Sequence, residues 1–126
     1  MKKKLLTLAL VLAGVSLNAQ TYFEEDFDGA SLTANNSWSV YNVISNSFNH
    51  EWYQDVFSGN GRARVSNFDN GSNTNEELES WLISPAIDLT GSNSPVLAFD
   101  NTKRFAGDDI ELLISTDYDG SSEPSS

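Results

Sequence analysis

The acidic run FEEDFD at residues 23–28 holds the side chains best placed for metal chemistry. In an extended chain, alternation puts Phe23, Glu25 and Phe27 on one face. If the phenylalanines face the core, Glu25 is a buried carboxylate that needs a cation or a close donor. Ca²⁺ satisfies that need with oxygen ligands, and Arg64 is the competing partner through a bidentate pair. The candidate calcium ligands are Glu25, Asp28, Asp100 and Asp108.

The sequence contains few residues of the types that carry out catalysis. The chain has no cysteine and a single histidine, His50, in a polar run that is typical of a loop. A nucleophile–histidine pair would depend on that one residue, and a zinc site built on paired histidines is excluded. The glycines stand in isolated turns, so no phosphate-binding loop is present. We interpret the chain as non-enzymatic.

The tryptophans are the candidate ligand-binding side chains. Trp38 and Trp52 are flanked by polar residues and are the candidates for an exposed sugar-stacking platform, although a core position is the competing interpretation. Trp81 begins the apolar run WLIS and is expected to be a core anchor, because a buried tryptophan removes ~150–250 Å² from water. DNGSNTNEE (69–77) lacks the calcium-loop spacing and is predicted to be a flexible loop.

Strands and turns must position these residues, since little of the sequence is typical of helix. Runs rich in β-branched and aromatic residues are separated by Gly/Asn/Asp/Ser clusters. This spacing predicts an all-β fold, an antiparallel β-sandwich. The alternation in 109–116 predicts a central strand that is buried on nearly both faces. The seven predicted strands cover 21–27, 37–44, 51–57, 63–68, 81–84, 95–100 and 109–116.

The N-terminus has the pattern of a secretory signal peptide. Three lysines precede an apolar stretch of 13 residues, 5–17, which is too short to span a membrane. Cleavage after Ala19 leaves four basic and 18 acidic residues, a net charge of −14. Such a surface repels nucleic acid and anionic lipid. We expect a signal peptide at 1–19, a β-sandwich domain at 20–120 and a polar tail at 121–126.

The ordered motifs FEEDFDG, GRARVSN, WLISPAIDL, VLAFDNTKRF and LLISTDYDG resemble the choice-of-anchor J domains of secreted Bacteroidetes proteins, which are related to cleaved-adhesin domains. The resemblance covers about residues 22–120. It implies a jelly-roll sandwich of the galactose-binding-like or MAM-like kind. Such a domain is a non-catalytic module at the cell surface or outside it, exported by a type 9 secretion system and sometimes holding calcium.

The resemblance leaves two roles open. One is a binding or adhesion module for an extracellular glycan or protein. The other is a structural accessory domain beside a protease or nuclease encoded in a missing part of the chain. Domains of this kind continue with further strands after STDYDG, whereas this sequence ends in SSEPSS. We therefore expect either a truncated copy or strands supplied by another chain, with a bare edge at 109–116.

Overall fold

Short antiparallel strands make up the secondary structure of this computed structural model, which describes residues 20–29, 31–33, 37–44 and 50–124. The expected signal peptide and the last two residues of the tail lie outside those ranges. Within them the structure is all-β, without a helix, and forms three two-stranded sheets. The strands are β1 (Ser39–Ile44), β2 (Tyr53–Phe57), β3 (Asn60–Arg64), β4 (Phe68–Asp69), β5 (Thr74–Asn75) and β6 (Glu79–Ile83).

The first sheet pairs β1 with β6. Tyr41 lies opposite Trp81, and the register shifts between Asn42 and Ile44, where Val43 forms a bulge. A bulge adds one residue to one strand and reverses the alternation beyond it. This explains why the apolar residues of SWSVYNVI change from alternate to adjacent positions. Trp81 is half-buried in this sheet, and its indole Nε1 donates to Glu79 Oε1 at 3.0 Å.

The second sheet is the hairpin of β2 and β3. Phe57 pairs with Asn60, so the turn consists of Ser58 and Gly59, with φ values of 54° and 84°. Two consecutive residues with positive φ are the signature of a type I′ turn, which matches the twist of the strands that it joins. The sequence predicted a strand at 63–68, but the structure ends β3 at Arg64 and begins β4 at Phe68.

The third sheet is a small hairpin of β4 and β5, at the place where the sequence predicted a flexible loop. Asp69 is only 4% exposed, and its carboxylate accepts hydrogen bonds from the backbone N–H groups of Gly71 and Ser72. The pKa of Asp69 is lowered, most strongly by a hydrogen bond with the side chain of Ser72 and further by these two backbone bonds, while burial acts in the opposite direction. The side chain of Asp69 therefore organises the turn.

Segment 20–29 was predicted to contain a strand, but it packs on its neighbours without joining a sheet. Gln54 donates from its amide nitrogen to the carbonyls of Phe27 and Gly29, and Gly61 N donates to Asp28 Oδ1 at 2.7 Å. Phe27 has a φ of 57°, which is unusual for a large side chain. These contacts fasten the segment to the β2–β3 hairpin.

The predictions for the last two strands were wrong. Residues 95–100 and 109–116 form no strand, and the side chains expected to be buried are exposed, such as Leu112 at 60% and Ile114 at 82%. Burial in the described residues is slight, with Leu32 at 3% as the buried apolar side chain. Because a strand needs a paired neighbour and a covered face, these runs do not form sheet without further elements beside them.

Candidate functional site

A cluster of opposite charges lies across the β2–β3 hairpin. Asp55 pairs with Arg62 across the strands, and Arg62 Nε donates to Asp55 Oδ2 at 3.0 Å. Arg64 Nη1 approaches the same oxygen at 3.4 Å. The hydrogen bond with Arg62 is the largest cause that lowers the pKa of Asp55, and Arg64 contributes further. One carboxylate thus serves two guanidinium groups.

Aromatic rings complete this cluster. The Arg62 guanidinium lies 4.8 Å from the ring centre of Phe57, and that of Arg64 lies 5.9 Å from the ring centre of Tyr53. Both distances fall within the range of cation–π attraction. Arg64 is therefore positioned by a carboxylate and by an aromatic ring, while its side chain keeps 40% of its surface exposed.

A groove of about 310 Å³ opens beside Arg64, where the β2–β3 hairpin adjoins the β4–β5 hairpin. Tyr53 and Phe68 contribute aromatic surface to it, and they are 43% and 37% exposed. A concave site with apolar faces and a few polar groups is the usual form of a small-ligand site. The lining residues are His50, Glu51, Tyr53, Arg64, Ser66, Phe68 and Asn70.

The polar groups of the groove carry both signs of charge. Glu51 accepts a hydrogen bond from Asn42 Nδ2 at 2.9 Å, which orients its carboxylate. Arg64 provides guanidinium donors, and Asn70 has both an amide donor and an amide acceptor. The charge of Arg64 is partly neutralised by Asp55. The groove is therefore equipped to hydrogen-bond a polar, uncharged ligand.

The predicted platform residues lie elsewhere. Trp38 is half-buried: its ring packs against Phe23 and Phe27, and its Nε1 donates to Glu25 Oε2 at 3.0 Å. Trp52 is half-buried as well, and its Nε1 donates to Ser80 O at 2.9 Å, which joins the chain before β2 to β6. Neither tryptophan lines the groove.

The predicted metal ligands are not brought together into a cation site. Glu25 accepts from Phe27 N at 2.7 Å and from Trp38 Nε1, and both of these donors are neutral N–H groups. Asp28 accepts from Gly61 N, and Asp100 and Asp108 lie in the exposed stretch after β6. In the part of the chain that the structure describes, no group of three or more His, Cys, Asp or Glu could hold a metal ion. Calcium stays a prediction.

The groove was not predicted from the sequence, although the sequence contains a pattern that indicates one half of it. The turn SG between YQDVF and NGRAR predicts a two-residue hairpin, which would have placed Tyr53 opposite Arg64 and Asp55 opposite Arg62. The contribution of Phe68 and Asn70 had no such signal, because it depends on how two separate hairpins lie beside each other.

No protein-family model matches this chain, and no curated protein or solved structure matches it either. Among the described residues, no helix has the length and apolar character needed to cross a membrane.

Proposed function

We propose that this protein is a non-catalytic extracellular binding module that holds a neutral saccharide in the groove beside Arg64. The observation that carries the proposal is the combination of two exposed aromatic rings, Tyr53 and Phe68, with amide, carboxylate and guanidinium groups in one concavity. The aromatic faces offer flat apolar surface to the C–H faces of a sugar ring, and the polar groups match its hydroxyls.

Charge favours a neutral ligand over an anionic one. The chain after Ala19 has a net charge of −14, which repels anions approaching from solution. Within the groove, Glu51 opposes a carboxylate or sulfate, and Arg64 already shares its charge with Asp55. A hexose or a short neutral oligosaccharide meets neither obstacle.

The finer features of the proposal come from the resemblance described above. They are a jelly-roll sandwich of the choice-of-anchor J type and a structural calcium ion. Export guided by residues 1–19 rests instead on the signal-peptide pattern of the N-terminus. Calcium is tested by thermal unfolding in excess Ca²⁺ and again with EGTA. A ligand bound only by the folded state raises the unfolding midpoint, so an unchanged midpoint would remove calcium from the proposal.

The groove is tested by screening the purified protein on an array of neutral and acidic oligosaccharides and measuring the hits by calorimetry. We expect Tyr53→Ala and Phe68→Ala each to weaken binding about 2- to 12-fold, as loss of ~0.5–1.5 kcal/mol of aromatic contact implies. Val56→Ala is the matched control, because Val56 is 61% exposed on the same hairpin and lies outside the groove. Equal affinities for all three variants, or a preference for acidic sugars, would refute the proposal.

A further inference from the structure

The sequence contains two Asn–Gly pairs, Asn60–Gly61 and Asn70–Gly71, and no other asparagine in it precedes a glycine. An asparagine side chain reacts most readily with the backbone when a glycine follows, because glycine has no Cβ to crowd the reacting atoms. Both asparagines are exposed to solvent in the structure. Each pair is therefore a candidate site of spontaneous covalent modification.

The modification is deamidation, and it begins at the backbone nitrogen of the glycine. That nitrogen loses its proton to a base in the solvent and attacks Cγ of the preceding asparagine. The new N–C bond closes a succinimide ring, and the C–N bond of the side-chain amide breaks to release ammonia. Water from the solvent then opens the ring at either carbonyl and leaves aspartate or isoaspartate. One water is consumed for each ammonia released, and nothing is oxidised or reduced.

Both glycine nitrogens are bound by an aspartate carboxylate. Gly61 N donates to Asp28 Oδ1 at 2.7 Å, although the two residues are 33 positions apart in the chain. Gly71 N donates to Asp69 Oδ1 at 2.9 Å within the β4–β5 hairpin. The two carboxylates come from separate parts of the chain, segment 20–29 and strand β4, so the same arrangement is reached by two different routes.

A carboxylate in this position opposes the first step of deamidation. It accepts the proton that must be lost in a charge-assisted hydrogen bond, and its charge disfavours a second negative charge on the nitrogen. A hydrogen bond to a charged group is strong enough to slow a reaction that must break it by about tenfold or more. Asp69 is buried and its pKa is lowered, chiefly by the side chain of Ser72, so its carboxylate is charged at neutral pH.

The two sites differ in the size of the elements around them. Asn60 begins β3, which pairs with β2 along five residues of each strand. Asn70 lies in the turn of the β4–β5 hairpin, whose strands have two residues each. Small elements with few contacts open more often than larger ones. We therefore expect Asn70 to be the more reactive site in the folded protein.

We propose that Asn60 and Asn70 are deamidation sites, each protected by the carboxylate that binds the backbone nitrogen after it. Asp28 protects the first site and Asp69 protects the second. Loss of protection has a direct consequence at Asn70, because this residue lines the groove. Its conversion replaces an amide by a carboxylate in a groove that already contains Glu51. That consequence rests on the proposed function, whereas the protection of the two sites does not.

The test is incubation of the purified protein at weakly alkaline pH. Peptide mass spectrometry that separates aspartate from isoaspartate follows each site over time. The reference is the same protein unfolded in guanidinium chloride, where neither nitrogen is bound by a carboxylate. We expect both sites to react about tenfold or more slowly in the folded protein than in the unfolded one, with Asn70 faster than Asn60.

Two aspartate variants serve as controls for each other. Asp69→Ala should raise the rate at Asn70 about tenfold or more and leave Asn60 unchanged. Asp28→Ala should do the reverse. Thr74→Ala removes a side-chain contact from the same small hairpin but keeps the Asp69 carboxylate, so the rate at Asn70 should stay that of the wild type.

Equal rates in the folded and unfolded protein would overturn the proposal, because the hydrogen bonds would then give no protection. Wild-type rates in both aspartate variants would overturn it as well. A rate in Thr74→Ala equal to that in Asp69→Ala would show that a loosened hairpin, not a lost carboxylate, exposes Asn70. Acceleration of both sites together in a single aspartate variant would also refute the proposal, since protection would then belong to the fold as a whole.

Discussion

The contact between Gly61 and segment 20–29 gives the sharpest test of the fold. A Cβ atom built on Gly61 would overlap the carbonyl group of Phe27 and lie 2.7 Å from Asp28 N. These neighbours are backbone atoms, and hydrogen bonds from Gln54 and Gly61 hold the segment in place. The substitution Gly61→Ala must therefore displace the segment or distort β3.

The size of the effect follows from these contacts. Forcing one methyl group into occupied space costs about 1–3 kcal/mol, and each hydrogen bond lost contributes about 0.5–1.5 kcal/mol. We expect Gly61→Ala to lower the free energy of unfolding by about 2–4 kcal/mol. Urea unfolding followed by tryptophan fluorescence measures it, and the emission also reports on Trp38, which segment 20–29 packs against.

Two other glycines separate crowding from backbone strain. At Gly71 the nearest atoms to an added Cβ are 3.4 Å away, so Gly71→Ala should be close to neutral. Gly59 has a φ of +84° and open space around it, so Gly59→Ala should cost about 1–2 kcal/mol through backbone conformation alone. If Gly61→Ala proved as mild as Gly71→Ala, the segment would not be seated on the hairpin and the reasoning would fail.

Substitutions at two further positions test the hydrogen bonds described above. Glu25→Ala leaves the N–H groups of Phe27 and Trp38 without their carboxylate acceptor. We expect it to lower the free energy of unfolding, measured by urea titration, by about 1–3 kcal/mol. Glu25→Gln keeps an acceptor oxygen and should recover part of that loss. In the folded protein the pKa of Asp55 lies below its usual 3.8, mainly because of the hydrogen bond with Arg62. The ion pair of Asp55 therefore stabilises the fold above pH 3.8, and this stabilisation is lost as the pH falls through the pKa of the folded state. The difference in melting temperature between wild type and Asp55→Asn should therefore be present at neutral pH and should vanish in acid; a difference that grows in acid would contradict the assigned role of Arg62.

Sequence reasoning worked where a strand and its partner are specified by local pattern. The aromatic-rich run at 51–57 and the turn chemistry around Gly59 both lie within a few residues of their partners in β2 and β3. The sharing of one face by Phe23, Glu25 and Phe27 was also predicted, and all three contact Trp38. The partner of Glu25 was not predicted, because an indole N–H thirteen residues away leaves no mark on the sequence around the carboxylate.

Trp38 and Trp52 show a second limit of prediction from the sequence. Polar neighbours made Trp38 and Trp52 candidates for an exposed platform, yet each indole N–H is bonded inside the chain. A tryptophan has one polar edge on a large apolar body, so it can lie half-buried beside polar residues as long as that edge finds an acceptor. Flanking polarity therefore indicates an acceptor nearby as readily as it indicates solvent.

Residues 109–116 show what an alternating apolar pattern does and does not specify. Ile110, Leu112 and Ile114 alternate as a buried strand requires, and the prediction of burial within this chain was nevertheless wrong. The pattern states that these side chains need a covered face, because exposed apolar area carries a free-energy cost of roughly 25 cal/mol per Å². The pattern does not indicate whether the residues that pack on this face belong to the same chain or to another one. A sheet edge within the same chain and the equivalent edge of a second copy satisfy the same requirement.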